Sequence, residues 1–218
     1  RRLDADPEVR VVIFRGAGHT AFSAGADITE FSTVRGDAAQ ARQYARVFDG
    51  ALAAVASIGK PTLSLIRGYC VGGGLELAAA CDIRVMAPGA ELALPETGVG
   101  IVPGWSGTQR LMRLLPEPVV KEMALFGRRL SAERALALGF VAEVSSNPLE
   151  TATAIAARLY GTSPTATEIA KYMIHAAAGE DAPAMIEALA SGMAAGSADK
   201  AEGVKAFRDK RKPEFPGV

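Results

Sequence analysis

The sequence predicts an α/β body followed by a helical C-terminal portion, and three observations carry that prediction. Short apolar, β-rich runs alternate with helical patterns through the first half. Helical spacing dominates the second half. Hydrophobic residues make up 49% of the 218 residues, enough for a sizeable core. No apolar run approaches the roughly 18 residues of a membrane span.

In chain order, residues 1–6 read as the tail of a helix that Pro7 breaks, and residues 9–15 as an apolar strand. From 37 to 58, Ala41, Tyr44, Ala45, Phe48, Leu52 and Val55 recur at helical spacing until Gly59-Lys60-Pro61 stops them. A second strand, 62–67, leads through a Gly-rich turn into strong helix formers at 75–80. Residues 83–87 form a third strand, and 91–94 a short extended piece. Helices follow at 108–115, ended by Pro116, and at 119–126, ended by Gly127. Ser131 is an N-cap and Gly139 a C′ residue around a helix at 132–138. A last strand spans 140–144. Pro164 at N1 opens a helix to 178, and two further helical patterns cover 182–195 and 198–211.

Twenty-four basic and 24 acidic residues cancel, which removes any bulk electrostatic case for nucleic acid or an anionic membrane. The opening has no apolar stretch behind its arginines, so it does not read as a signal peptide, and a cytoplasmic setting is expected. Cys70 and Cys81 lack zinc-ligand spacing and read as small, reduced core residues. His19 and His175 are far apart in sequence, so neither a metal site nor metal catalysis is expected. The first residue is not methionine, and a preceding strand and helix are expected to be missing.

Three stretches carry chemistry. Gly16-Ala17-Gly18-His19-Thr20-Ala21 fits a loose dinucleotide-loop pattern, but no amphipathic helix follows to hold a pyrophosphate. Gly72-Gly73-Gly74-Leu75-Glu76 places side-chain-free residues and then a carboxylate at a strand-to-helix junction. There, free N–H donors and the helix dipole meet any bound anion. Glu76 is either a general base kept ionised by that dipole or a first-turn glutamate that steadies its helix. Glu96 borders the glycine-broken loop 97–104 and is either surface decoration or a second acid–base group. If folding brings the two together, repulsion and burial raise one of them and supply an acid and a base around one water.

These segments resemble the enoyl-CoA hydratase/isomerase (crotonase) family. Residues 21–28, Ala-Phe-Ser-Ala-Gly-Ala-Asp-Ile, look like its first oxyanion-hole loop. Residues 68–78 look like its second, and Pro95-Glu96 through residues 103–111 like its catalytic loop. Together with the ending 202–212 the likeness spans essentially the whole chain. It implies a crotonase-like spiral of β-β-α units over 1–160, lacking its first strand and helix, and a helical C-terminal region over 161–218. It also implies a homotrimer or dimer of trimers.

By the same resemblance, the backbone N–H groups of Ala26 and Gly73 form the oxyanion hole for a thioester oxygen. Glu76 activates water and Glu96 delivers a proton. Ala24, Asp27, Ile28, Gly72, Gly104, Trp105, Phe207 and Lys210 are implied substrate contacts. Trp105 and Phe207 either wall the acyl pocket or fill core space. Thr20 and Thr29 stand where relatives often carry phosphate-binding lysines, so Arg15, Lys205 or Lys210, or the front expected to be missing, is expected to take that part. Both glutamates together point to hydration of an enoyl-CoA, with coenzyme A as part of the substrate and no separate cofactor. Another enolate reaction such as isomerisation or C–C cleavage, or a non-catalytic acyl-CoA-binding protein, is the alternative.

Overall fold

Among the described residues, two four-stranded sheets organise the fold. The structure is a computed structural model that describes residues 2–34, 37–104, 106–179 and 197–217, without the side chains of Ser32 and Phe207. The chain divides into two compact units, one of residues 13–57 and 62–152, the other of residues 1–12, 58–61 and 153–218.

In the larger unit, the first sheet has the order β1 (Val12–Arg15), β3 (Thr62–Ile66), β5 (Ile83–Met86), β8 (Glu143–Val144). β3, β5 and β8 run parallel, and every residue of β3 is buried. A largely apolar run such as Leu63-Ser64-Leu65-Ile66 suits a strand covered on both faces. The second sheet has the order β2 (Ala21–Ser23), β4 (Tyr69–Val71), β6 (Glu91–Ala93), β7 (Leu130–Ser131). Its first three strands are parallel and only β7 is antiparallel. The register sets Ser23 beside Cys70 and Val71 beside Ala93. Three neighbouring strands therefore release their following loops side by side at one edge, which is where ligand sites of parallel sheets form.

Helices cover the sheets. α2 (Phe31–Val34) precedes α3 (Ala38–Ala56), whose N-cap Asp37 accepts from Ala39 N at 2.7 Å and Gln40 N at 2.9 Å. α4 (Gly73–Ala80) is apolar nearly all round, and Leu75 and Ala78 are fully buried in the core beside Ile66, Met86, Leu92 and Leu111. Its C-terminal carbonyls are met by the buried Arg84, which donates to Cys81 O at 2.7 Å and to Ala78 O at 3.3 Å. The same guanidinium lies 4.8 Å from the Phe140 ring centroid. α4 is thereby fixed at its far end, which steadies the turn that begins it. α5 (Gly107–Leu114), α6 (Glu117–Phe126) and α7 (Ala132–Ala137) follow, and Ser131 caps α7 by accepting from Arg134 N at 3.3 Å. Cys70 and Cys81 are buried in the core and form no disulfide, as a core reading requires. α8 (Pro148–Ala157) begins in this unit and ends in the other.

The smaller unit holds α1 (Arg2–Ala5), α9 (Pro164–Gly179) and a last described helix, Ala198–Arg208. Buried Asp199 gathers it, accepting from Ser163 Oγ at 2.6 Å, Gly217 N at 2.7 Å and Thr165 N at 3.2 Å. Arg10 Nη2 donates to the carbonyls of Leu159 and Thr162 at 2.9 and 2.8 Å. The helix expected at 182–195 lies outside the described residues. Among the described residues no helix is long and apolar enough to cross a membrane.

Several expected bounds shift. The strand expected at 9–15 narrows to Val12–Arg15, and that at 140–144 to Glu143–Val144. β2, β4 and α8 were not expected at all. The turn at residues 16–19 leads into strand β2 and not into a helix, so the loose dinucleotide pattern has no helix N-terminus behind it.

Candidate active site

Each of the three parallel strands β2, β4 and β6 ends in a segment that lines one pocket. After β2 come Ala24, Gly25, Ala26 and Ile28; after β4 come Gly72, Gly73 and Glu76; after β6 come Pro95, Glu96 and Gly104. Phe31, Val71, Val99, Ile101 and Val102 supply an apolar wall. The pocket measures about 90 Å³, well above the roughly 15 Å³ that a single water needs.

Backbone conformation explains the glycines at its base. Gly72, the N-cap of α4, has φ 52° and ψ −123°, a combination that L side chains rarely adopt. A Cβ there would also come within 2.8 Å of Glu96 Oε1. Gly72 N donates to Ala93 O at 2.9 Å, which ties the start of α4 to β6. The first loop lies against the same place: a Cβ on Gly25 would fall 3.1 Å from Gly73 N. The Ala26 and Gly73 segments therefore border one pocket, and the Gly73 N–H is one of the donors that begin α4 with no intrahelical partner.

Both glutamates are buried at this pocket. Glu76 in the first turn of α4 is 2% exposed, and Glu96 at the start of the 3-10 turn Glu96–Val99 is 8% exposed. Glu76 Oε1 accepts from Gly104 N at 2.9 Å. Gly107, the first residue of α5, packs against its stem so closely that a Cβ there would lie 2.3 Å from Glu76 Cγ. Glu96 is held differently: its Oε2 is buried with no hydrogen-bond partner among the described residues. Such an oxygen is costly unless it is protonated or meets a water or ligand.

Burial first, and then the neighbouring Glu96, push the Glu76 carboxyl up to about 8; the Gly104 N–H opposes this, Asp49 adds to it and Arg110 opposes it. Burial also raises Glu96. The expectation that the helix dipole keeps Glu76 ionised is thus overturned for the ligand-free protein. α4 is only eight residues long, and the dipole's help at its first turn is smaller than the cost of charging a carboxyl that is only 2% exposed. Two buried carboxyls at one small pocket, both displaced upward, hold a proton at neutral pH.

Ala24, Ala26, Ile28, Gly72, Gly73, Glu76, Glu96 and Gly104 are brought to this pocket. Asp27 is not among its lining residues. Its Oδ1 accepts from Thr29 N at 2.9 Å and Thr29 Oγ1 at 2.6 Å, which holds the carboxyl below its usual range and caps the 3-10 turn Ile28–Glu30. Trp105 and the side chain of Phe207 lie outside the described residues. Lys210, with φ 52°, is exposed after the last helix in the smaller unit, where Lys205 is also exposed; Arg15 is exposed at the end of β1. Sequence reasoning did not single out Gly107, Asp49, Ser106 or Arg110. Asp49 left a signal: four residues after Ala45 and three before Leu52, it interrupts the apolar face of α3.

Residues 1–217 match the enoyl-CoA hydratase/isomerase family. The chain is 37% identical over 221 residues to a Bacillus subtilis protein named "Probable enoyl-CoA hydratase", covering 99% of this chain and 85% of that one. It is 38% identical over 220 residues to carnitinyl-CoA dehydratase of Salmonella typhi, covering 97% and 83%. The crystal structure of enoyl-CoA hydratase from Bacillus anthracis superposes with a TM-score of 0.91 at 34% identity, covering 100% of this chain and 85% of that one.

Proposed function

The chain belongs to the enoyl-CoA hydratase/isomerase family and has its crotonase fold, and from that premise we propose that it adds water reversibly across the 2,3 double bond of an enoyl-CoA thioester to give a 3-hydroxyacyl-CoA. The observation that carries this reading is the pair of buried carboxyls, Glu76 and Glu96, at a pocket with room for water. Hydration needs one carboxylate to take a proton from water and one carboxylic acid to give a proton to the α-carbon. A pair that holds a single proton supplies both.

In this reading the thioester oxygen meets the N–H groups of Ala26 and Gly73. As water attacks the β-carbon, electron density moves onto that oxygen, and preorganised donors stabilise it by about 3 kcal/mol each. Glu76, its Oε1 held by Gly104, takes the water proton. Glu96, whose Oε2 has no partner among the described residues, gives its proton to the α-carbon. The resting proton favoured on Glu76 passes to Glu96 through the bound water before attack. One carboxyl is protonated before the step and one after it, so charge and protons balance. The chemistry is redox-neutral and draws on the chain's own groups, with coenzyme A entering as part of the substrate; we propose no further cofactor. A homotrimer or dimer of trimers is proposed with it, to be checked by light scattering.

The test is incubation with crotonyl-CoA, following enoyl absorbance and product mass for wild type, Glu76→Gln and Glu96→Gln. Hydration adds one water to the substrate mass and isomerisation adds nothing. Wild-type turnover that both variants match overturns the proposal.

A further inference from the structure

Glu76 is approached from three elements by charged groups: Glu96 from its 3-10 turn, Asp49 from α3 and Arg110 from α5. Asp49 comes from a separate element, α3, and is hydrogen-bonded to the segment that grips Glu76. Ser106 Oγ donates to Asp49 Oδ1 at 3.2 Å, the long end for a hydroxyl donor. Ser106 is the N-cap of α5, yet its side chain makes no cap hydrogen bond, and it holds φ 58° and ψ 18°, a left-handed conformation uncommon for serine. Its two neighbours in this role are Gly104, whose N–H binds Glu76 Oε1, and Gly107, which packs on Glu76 Cγ. The Ser106 side chain is thus turned to Asp49 and not to the N-terminus of α5.

We propose that Asp49 is a positioning residue for Glu76, acting through the Ser106 hydroxyl to hold residues 104, 106 and 107 against the glutamate, and through its own charge to oppose Arg110. The electrostatics agree in sign. Asp49 favours the neutral form of Glu76 while Arg110 favours the charged form, and Asp49 also stabilises the Arg110 cation, so the two belong to one local charge balance. Removing the Asp49 charge leaves Arg110 less opposed and draws Glu76 toward ionisation. Cutting the hydroxyl link leaves the charge in place and loosens the grip on Glu76. Asp49 touches no reacting atom in this account, so its effect is on the state and placement of Glu76.

The inference rests on the hydration reading for its kinetic consequence, and its primary test does not require turnover. In ligand-free protein carrying 13C-labelled glutamate, the Glu76 carboxyl is followed by NMR through pH, with Glu76→Gln assigning the resonance. Asp49→Asn is expected to lower the titration midpoint by about half a unit or more, and Asp49→Glu, which keeps the charge, to bring it back toward wild type. Ser106→Ala is expected to lower kcat on crotonyl-CoA several-fold with KM nearly unchanged, and a kcat equal to that of an active wild type overturns the link through Ser106. A midpoint in Asp49→Asn equal to wild type, or one that Asp49→Glu fails to recover, overturns the proposal. Absence of hydratase activity in wild type defeats the hydration reading instead, and the titration still decides the role of Asp49.

Discussion

The first turn of α4 and the 3-10 turn Glu96–Val99 each present one buried glutamate to the same pocket, and they hold it in opposite ways. Glu76 is braced: Gly104 N–H binds one oxygen, Gly107 presses on its stem and Arg84 anchors the far end of its helix. Glu96 stands on a four-residue turn with one oxygen buried and unpartnered among the described residues. The difference teaches that burial sets the protonation of such a pair, while local bracing decides how each member responds to change. A braced carboxyl is sensitive to its supports. One with an unpartnered oxygen is sensitive mainly to its own replacement.

The largest expected effect removes either member outright. Glu96→Gln and Glu76→Gln each lower kcat on crotonyl-CoA by about 10³-fold, within the 10²–10⁴ usual for losing a general acid or base, and equal loss in both supports a pair that works as a unit. Next come the supports. Gly107→Ala drives a methyl into the stem of Glu76 and displaces the carboxyl, which lowers kcat about 10²-fold; the same substitution at Gly98, where a Cβ meets nothing within 4 Å, leaves kcat nearly unchanged. Gly72→Ala meets both an unfavourable φ and Glu96 Oε1, so urea unfolding should show a loss of about 1–3 kcal/mol.

A smaller effect follows from the charge itself. The Glu76 carboxyl ionises near 4.5 in an exposed chain and near 8 in the fold. Between those values the folded protein binds more protons than the unfolded one, so rising pH works against folding until the loss is complete above about 8. Glu76→Gln keeps the oxygen that accepts from Gly104 and removes the titration. Its stability relative to wild type should therefore improve from pH 5 to pH 8, by roughly 2–4 kcal/mol, as measured by denaturant titration at each pH. An advantage that does not grow with pH would place the raised carboxyl elsewhere.

Much of this was legible in the residues. The apolar spacing of 41–55 marks α3, and Gly72-Gly73-Gly74 marks a strand-to-helix turn with free donors. What stayed hidden has physical reasons. β2 and β4 are three residues each, too short for alternation to register. α8 begins Pro-Leu-Glu-Thr-Ala-Thr, where threonines dilute the helical signal. The convergence of Glu76 and Glu96, twenty residues apart, depends on β4 lying parallel to β6 with Val71 beside Ala93, a register set by the packed sheet and not by either segment. The protonation of Glu76 depends on burial by Gly107 and its surroundings, which outweighs the helix dipole that the local sequence advertises.

The most direct test of the shared proton is the pH dependence of kcat/KM on crotonyl-CoA, which reports the ligand-free enzyme. The proton that the pair holds is lost as pH rises through about 8, so kcat/KM should fall about tenfold per unit above that pH, and the residual activity of Glu76→Gln should lack that limb. A wild-type profile flat to about pH 10, or a limb near 8 that survives in Glu76→Gln, would contradict the account.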